Sequence, residues 1–346
     1  MKKSLIALAA LAASGLAMAQ SSVTLYGVAD VSLGYQSKNN DDTTGAFANG
    51  PLNNGTSRIG FRGVEDLGNG LKASFNFEQG VSLADGSSGG FQRQAWVALG
   101  GDFGLLRLGR ATSPAGNARA VWDILGDPNY SVISNQFGYA GASGSRNNAQ
   151  VLYVTPSFGG FSAQAAYVFE DNDYSEPDTA DRNAKYELAL MYENGPLAAA
   201  LNYASADDWN KDRGNGVGTG KSNDAEGWEL GASYDFGSFQ LAASYHQGTF
   251  YGFSGNNAAF NGQDYKGASL SALVPFGAFS LGASVAYEDE SDTTDALVEA
   301  KYALSNRTFI YGVYAYNEKA TGKAGRIARP DDWGKDNFGI GIRHNF

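Results

Sequence analysis

From Asn337 to the terminal Phe346, apolar Phe338, Ile340, Ile342 and Phe346 interleave with Asn337, Gly339, Gly341 and Arg343. Strand side chains point alternately to two faces, so a period of two places one face against an apolar medium and the other in water. The same pattern separates Trp228, Leu230, Ala232, Tyr234 and Phe236 from Gly227, Glu229, Gly231, Ser233 and Asp235. It also separates Phe279, Leu281, Ala283, Val285 and Tyr287 from Ser280, Gly282, Ser284 and Glu288, and Phe161, Ala163, Ala165, Tyr167 and Phe169 from Ser162, Gln164 and Glu170. If the apolar sets face hydrocarbon, the polar sets must face inward, because a Lys or Arg on lipid near mid-depth costs about 2–4 kcal/mol.

Segments of this kind predict strands over 22–36, 57–65, 70–80, 91–100, 104–112, 147–156, 160–171, 184–194, 196–206, 226–236, 238–248, 264–276, 278–289, 295–304, 307–317 and 335–346. Tight turns such as Asp66 to Gly70, Gly100 to Gly104 and Gly277-Ala278 alternate with long polar connections. An even number of strands near sixteen, each about ten residues long, with short turns at one end and long loops at the other, predicts an all-β fold, a transmembrane antiparallel β-barrel. A soluble sandwich also alternates, but rarely needs so many strands.

Residues 1–19 carry Lys2, Lys3, an apolar stretch from Leu5 to Leu16 and the small-residue run Ala17-Met18-Ala19. They read as a secretory signal, with the barrel in 20–346. The apolar stretch is shorter than the ~20 residues a spanning helix requires, and no later run is long enough. Export and strand crossings together point to an outer membrane, with short turns on the periplasmic side and long loops outside.

Composition narrows the chemistry. With 46 Gly, 19 Tyr and 20 Phe the chain suits close-packed strands with aromatic ends. With Cys 0 it has neither a disulfide nor a thiolate for catalysis or metal binding. The mean hydropathy of −0.30 is that expected when one face of each strand is polar. A formal net charge of −11 argues against nucleic acid as a partner. Many acids, among them Asp41, Asp42, Asp171, Asp173, Asp207, Asp208, Asp289 and Glu290, fall in expected loops, at spacings matching no metal motif, so no cofactor is expected.

The run Ser57-Arg58-Ile59-Gly60-Phe61-Arg62-Gly63-Val64-Glu65-Asp66-Leu67-Gly68-Asn69-Gly70-Leu71-Lys72-Ala73 resembles the trimeric general porins of Gram-negative outer membranes, especially the β-proteobacterial type. The resemblance continues through Val23-Thr24-Leu25-Tyr26-Gly27, Arg93-Gln94-Ala95-Trp96-Val97, Phe103-Gly104-Leu105-Leu106-Arg107-Leu108-Gly109-Arg110 and Gly341-Ile342-Arg343-His344-Asn345-Phe346. It implies a water-filled barrel of sixteen strands, assembly as a homotrimer in lipid and lipopolysaccharide, and a third outer loop folded into the lumen. The expected occupants are small hydrophilic solutes and ions.

Residues 113–146, the longest connection, are the candidate for that loop, and Val121, Trp122, Ile124, Leu125, Tyr130, Val132, Ile133 and Phe137 give it an apolar side to pack. By the resemblance, wall arginines oppose loop acids at a constriction, and the matching residues are Arg58, Arg62, Arg93 and Arg146, with Asp123 and Asp127 on the loop. Charges of opposite sign across a narrow aqueous gap make a transverse field that filters ions, and arginine stays protonated among like charges. A modest anion preference is the expectation. The segment Ala120 to Pro128 lacks the Pro-Glu-Phe-Gly run of enterobacterial relatives, and Arg110 and Arg119 flank it as alternative partners for its acids. Placing Trp96 on lipid puts Arg93 inside, but then Ala95, Val97 and Leu99 point inward too.

Two other readings can be set against a general channel. An outer-membrane enzyme needs a His with a nucleophile or paired carboxylates at the outer face; only His246 and His344 exist, so no enzyme is expected. A substrate-specific channel for sugars or organic anions would use a stripe of lumen aromatics, for which Tyr26, Tyr314 and Tyr316 are candidates. Gly27, Ala29 and Ala73 are small outward residues suited to close contact between barrels. Phe346 resembles the terminal membrane-assembly signal of such barrels.

Overall fold

The computed structural model describes residues 22–37, 42–140, 144–169, 184–206, 225–250, 263–318 and 334–346. The expected leader over 1–19, Glu170 and the loop acids Asp41, Asp171, Asp173, Asp207 and Asp208 lie outside the described residues.

The strands are β1 (Ser22–Gln36), β2 (Thr43–Phe47), β3 (Arg58–Gly68), β4 (Leu71–Gly80), β5 (Gln94–Gly101), β6 (Gly104–Thr112), β7 (Arg146–Val154), β8 (Phe161–Val168) and β9 (Lys185–Asn194). They continue as β10 (Leu197–Ala206), β11 (Ala225–Asp235), β12 (Gln240–Phe250), β13 (Gln263–Phe276), β14 (Phe279–Glu288), β15 (Thr293–Ala303), β16 (Thr308–Asn317) and β17 (Asp336–Asn345). From β3 onward each pairs antiparallel with the next, and β17 returns to β1 from Val28↔Asn345 to Gln36↔Asn337, which closes the cylinder. Closure joins the first and last strands, so neither is left as a free sheet edge, the condition for strands to sit in hydrocarbon.

Seventeen segments make sixteen staves. One edge of β1 pairs with β2 over Ser32–Gln36 and with β3 over Ser22–Val28, so β2 and β3 form one interrupted stave. The intervening residues 48–57 leave the wall and turn inward, where Leu52, Asn53, Asn54 and Ser57 are buried.

The two solvents are sorted as the alternation requires. Leu230, Tyr234, Leu281, Val285, Ile340 and Ile342 are exposed on the outer face, whereas Glu229, Ser271, Ser284 and Glu299 are buried on the inner one. Strand β5 corrects one register expectation. Val97 and Leu99 are outside, and Trp96 lies inside with the Arg107 guanidinium 4.3 Å from its ring centroid. Arg93 precedes β5, so its inward position does not depend on that register.

Residues 113–145 hold two helices inside the barrel, α1 (Pro114–Trp122) and α2 (Val132–Phe137). Ser113 caps α1, accepting from the Gly116 N–H at 3.0 Å, and Pro114 starts it with a φ suited to the first turn. The first helix packs on the inner faces of β8–β11 and the second on β13–β16. Trp122, Leu125, Tyr130, Val132, Ile133 and Phe137 form its buried core, while Val121 and Ile124 are partly covered.

Candidate functional site

The helices of the loop pack on the inner surface of β8–β11 and β13–β16 and leave β3–β7 as the more open side of the barrel wall. That wall carries the positive charge. Arg58 opens β3, where the interrupted stave resumes, Arg93 directly precedes β5 and Arg146 opens β7; these strands run in one direction, and the register Arg58↔Gly80 with the Arg93–Glu78 pair brings the guanidiniums to one level of the wall. Arg58 lies within electrostatic reach of Arg93, Arg146 and Arg343, and Arg146 within reach of Arg93 and Arg110.

One acid sits among them. Glu78 on β4 accepts from Arg93 Nε at 2.6 Å and from the Tyr26 hydroxyl at 2.9 Å, and Arg58 Nε stands 3.6 Å away. Tyr26 also donates to Asn76 at 2.9 Å. Gly60 makes room for this phenol, since a Cβ there would lie 2.5 Å from its ring. Arg62, exposed to the lumen, places its guanidinium 5.1 Å from the Tyr26 ring centroid. Like-charged groups so close are tolerable because guanidiniums are weakly hydrated and Glu78 offsets part of their repulsion.

Sequence reasoning missed Glu78, although the signal was present: it shares a face with Asn76, opposite outward Phe77. It also placed the loop acids differently. Asp123 caps the end of α1, accepting from the N–H groups of Leu125 at 3.0 Å and Asp127 at 2.9 Å. Asp127 accepts from the Ser134 hydroxyl and from Tyr139 at 2.6 Å. Both carboxylates are therefore spent on bonds inside the loop, and the acid that meets the arginines is Glu78. Burial and the neighbouring Asp127 charge push the Asp123 carboxyl up to about 6.

Of the flanking arginines, Arg110 donates to the Gln92 carbonyl and to Asn148. Arg119, the alternative partner for the loop acids, lies within electrostatic reach of Asp123 and Asp127 and forms a fully buried pair with Glu229 on the wall, its Nε 3.2 Å from Glu229 Oε1. Its Nη1 donates to Ser134 at 2.7 Å. The chain of contacts continues along the wall, with His246 Nδ1 3.2 Å from Glu229 and Nε2 2.7 Å from the Ser244 hydroxyl. This Glu–His–Ser row has the order of a nucleophilic triad, but Phe137 stacks on the imidazole at 4.2 Å and all three residues are buried. The inserted loop covers this row, with Phe137 on the imidazole and Arg119 on the carboxylate.

The sugar-slide candidates separate. Tyr26 faces the lumen, but Tyr314 is exposed on the outer face and donates to Asp336 at 2.8 Å, and Tyr316 shares that outward register. His344 is exposed on the outside, 2.9 Å from the Thr308 hydroxyl.

A closed antiparallel cylinder, apolar outside and charged within, narrowed by an inserted loop, defines a membrane channel barrel. A family model for the Gram-negative porin matches residues 5–322. An outer membrane porin protein of Bordetella pertussis is 31% identical over 100% of both chains. Outer membrane porin protein 32 of Delftia acidovorans is 41% identical over 59% of this chain, a match that spans 60% of that protein. Among solved structures, the anion-selective porin from Comamonas acidovorans superposes with a TM-score of 0.71 at 27% identity, covering 94% of this chain and 100% of that one. The Salmonella typhi OmpF structure, at 18% identity and a TM-score of 0.69, shares the fold. The chain belongs to the Gram-negative porin family and is an outer-membrane protein.

Proposed function

We propose that this porin passes small hydrophilic solutes and ions by passive diffusion and modestly prefers anions, with Arg58, Arg62, Arg93 and Arg146 setting the preference. One observation carries the reading: the inserted loop packs on the β8–β11 and β13–β16 surface, and on the wall it leaves more open several guanidiniums share the carboxylate of Glu78. Fixed positive charge beside a narrow aqueous path raises the local anion concentration and repels cations. Asp123 and Asp127 contribute indirectly, by holding the loop in the shape that forms the opposite bank. The similar porin from Comamonas acidovorans is anion-selective, which agrees with this sign.

The exported chain is proposed to lose residues 1–19 and to assemble as a homotrimer in lipid and lipopolysaccharide. The outward positions of Tyr314 and Tyr316 weigh against a sugar slide. The test is the reversal potential of single channels across a potassium chloride gradient. Chloride should carry the larger share in the wild type, and the combined Arg58→Gln, Arg93→Gln and Arg146→Gln variant should lose that excess. Cation preference in the wild type would overturn the reading.

A further inference from the structure

Residues 48–57 do what the sequence assigns to the third loop alone: they leave the wall and enter the lumen. They depart between Phe47, which pairs with Ser32, and Arg58, which pairs with Val28, and so lie opposite Ala29–Val31. Asp30, buried on β1, anchors them. Its carboxylate accepts from the Gly55 N–H at 2.9 Å, from Asn53 at 3.2 Å and from Tyr311 at 2.6 Å, and the Ser57 hydroxyl bonds its main chain at both N–H and carbonyl. Leu52 fills a hollow made by Gly34 and Gly339, where a Cβ would approach its side chain to 2.5 and 3.4 Å. An isolated surface turn would have neither a buried carboxylate at its root nor an apolar socket at its tip.

The segment carries no charge of its own. It holds charges that others bring. Asn54 accepts from Arg343 Nη1 at 2.9 Å and donates to the Tyr130 hydroxyl at 2.8 Å, and Tyr130 in turn donates to Glu299 at 2.7 Å. Gly55 lets the Arg343 guanidinium draw near, since a Cβ would lie 2.8 Å from Nη1. Asn129 of the loop donates to the Gly50 carbonyl at 3.2 Å, and Arg58 Nη1 donates to the Thr56 carbonyl at 3.3 Å. The neutral segment thus touches two arginines and the tip of the inserted loop at once.

We infer that residues 48–57 are a second constriction element, in which Asn54 is a positioning residue that holds Arg343 beside Arg58 and ties it to the loop through Tyr130. Arg343 then belongs to the selectivity charge although it comes from the last strand. Arg343 is held from two sides, its Nε donating to Asn345 at 3.2 Å and its Nη1 to Asn54, so that Asn345 anchors the root of the guanidinium and Asn54 fixes its tip; a long cationic side chain held at its tip presents its charge at a fixed place.

The inference rests on the reading that the wall arginines set selectivity, and its test separates the two. Reversal potentials would be measured for wild type, Arg343→Gln, Asn54→Ala and the double variant, each shown to be folded by heat-modifiable migration. Arg343→Gln should lower the chloride-to-potassium permeability ratio by about twofold, as expected for removal of one charge among several in a narrow pore. Asn54→Ala should lower it in the same direction but by less, because the charge stays and Asn345 still holds its Nε, and the double variant should fall no further than Arg343→Gln, because without the charge Asn54 has nothing to place. Mere loosening of the segment would raise conductance to both ions and leave the ratio at its wild-type value, which would overturn the positioning role. An unchanged ratio in Arg343→Gln would remove Arg343 from the constriction. If the wild type prefers cations, the proposed function fails, while shifts toward cations in both single variants, with no further shift in the double variant, still uphold this inference. Should Asn54→Ala not fold, Asn54→Ser, too short to reach both partners, is read the same way.

Discussion

The indole of Trp122 lies flat on the wall at Gly231, so close that a Cβ at that glycine would stand 2.1 Å from the ring. The absent side chain is what lets α1 seat against β11. A residue with bulk there must push the helix toward the passage, because the barrel wall, hydrogen-bonded on both sides, yields less than the loop. Gly231→Val is expected to reduce single-channel conductance and to destabilise the protein by about 1–3 kcal/mol, the usual cost of overpacking. Conductance in planar bilayers and the midpoint of heat modification check both parts; a variant with wild-type conductance would show that the helix does not bound the pore.

The pair Arg119–Glu229 fastens the same helix electrostatically. Each partner is 0–1% exposed, so removing one leaves a buried charge offset only by its second neighbour, Asp127 for Arg119 or His246 for Glu229. Arg119→Met or Glu229→Leu alone is expected to cost about 3–5 kcal/mol, whereas the double replacement should cost much less than the sum. The double-mutant cycle on unfolding midpoints in detergent measures this. Simple additivity would mean that the pair does not act as a unit.

Much of the barrel was legible in the sequence because two solvents impose a period of two, and the strand bounds expected from it match those observed within a few residues. The interrupted stave was not. Thr43–Phe47 is five residues long and lies in a stretch rich in Asp, Thr, Asn and Gly, and Leu52 is the single large apolar residue that marks residues 48–57 as turning inward. The arginines could be named from the family resemblance, but their acid could not, since Asp123 and Asp127 are used up in capping and hydroxyl bonds that no spacing reveals. Arg119 and Glu229 are far apart in sequence, and only the closed cylinder brings them together.

Asp123 gives the loop a pH dependence. Its folded carboxyl titrates at about 6, above its ordinary value of 3.8, because burial and Asp127 disfavour the charged form. A folded value above the unfolded one means that the native state holds the proton more tightly. The stabilisation is therefore fully present below about pH 4 and is lost as pH rises through 6, to the extent of roughly 2–3 kcal/mol. Between pH 4 and 6.5 the thermal midpoint of the wild type should fall relative to that of Asp123→Asn, which retains an acceptor oxygen and has no proton to lose. Parallel curves for the two proteins would assign the titration to another group.

Phe346 closes the cylinder against Gly27. Their main chains exchange two hydrogen bonds, Gly27 N–H to the Phe346 carbonyl at 2.9 Å and Phe346 N–H to the Gly27 carbonyl at 3.0 Å, and a Cβ at Gly27 would lie 2.3 Å from the phenyl ring. The contact is made where the last strand meets the first, so it forms only when the sheet has come full circle. Beyond that pair the seam has nine more register partners, from Val28↔Asn345 to Gln36↔Asn337, which suffice to keep a closed barrel closed. The ring also sits on the outer face, 45% exposed and away from the passage. Removing Phe346 is thus expected to lower the yield of folded, heat-modifiable barrel in the outer membrane while leaving the conductance and reversal potential of assembled channels unchanged. Quantitative recovery of folded protein from membranes, compared with single-channel records of the same preparation, separates the two effects: undiminished assembly would deny the terminal residue a part in closure, and altered conductance would mean that the seam reaches the pore.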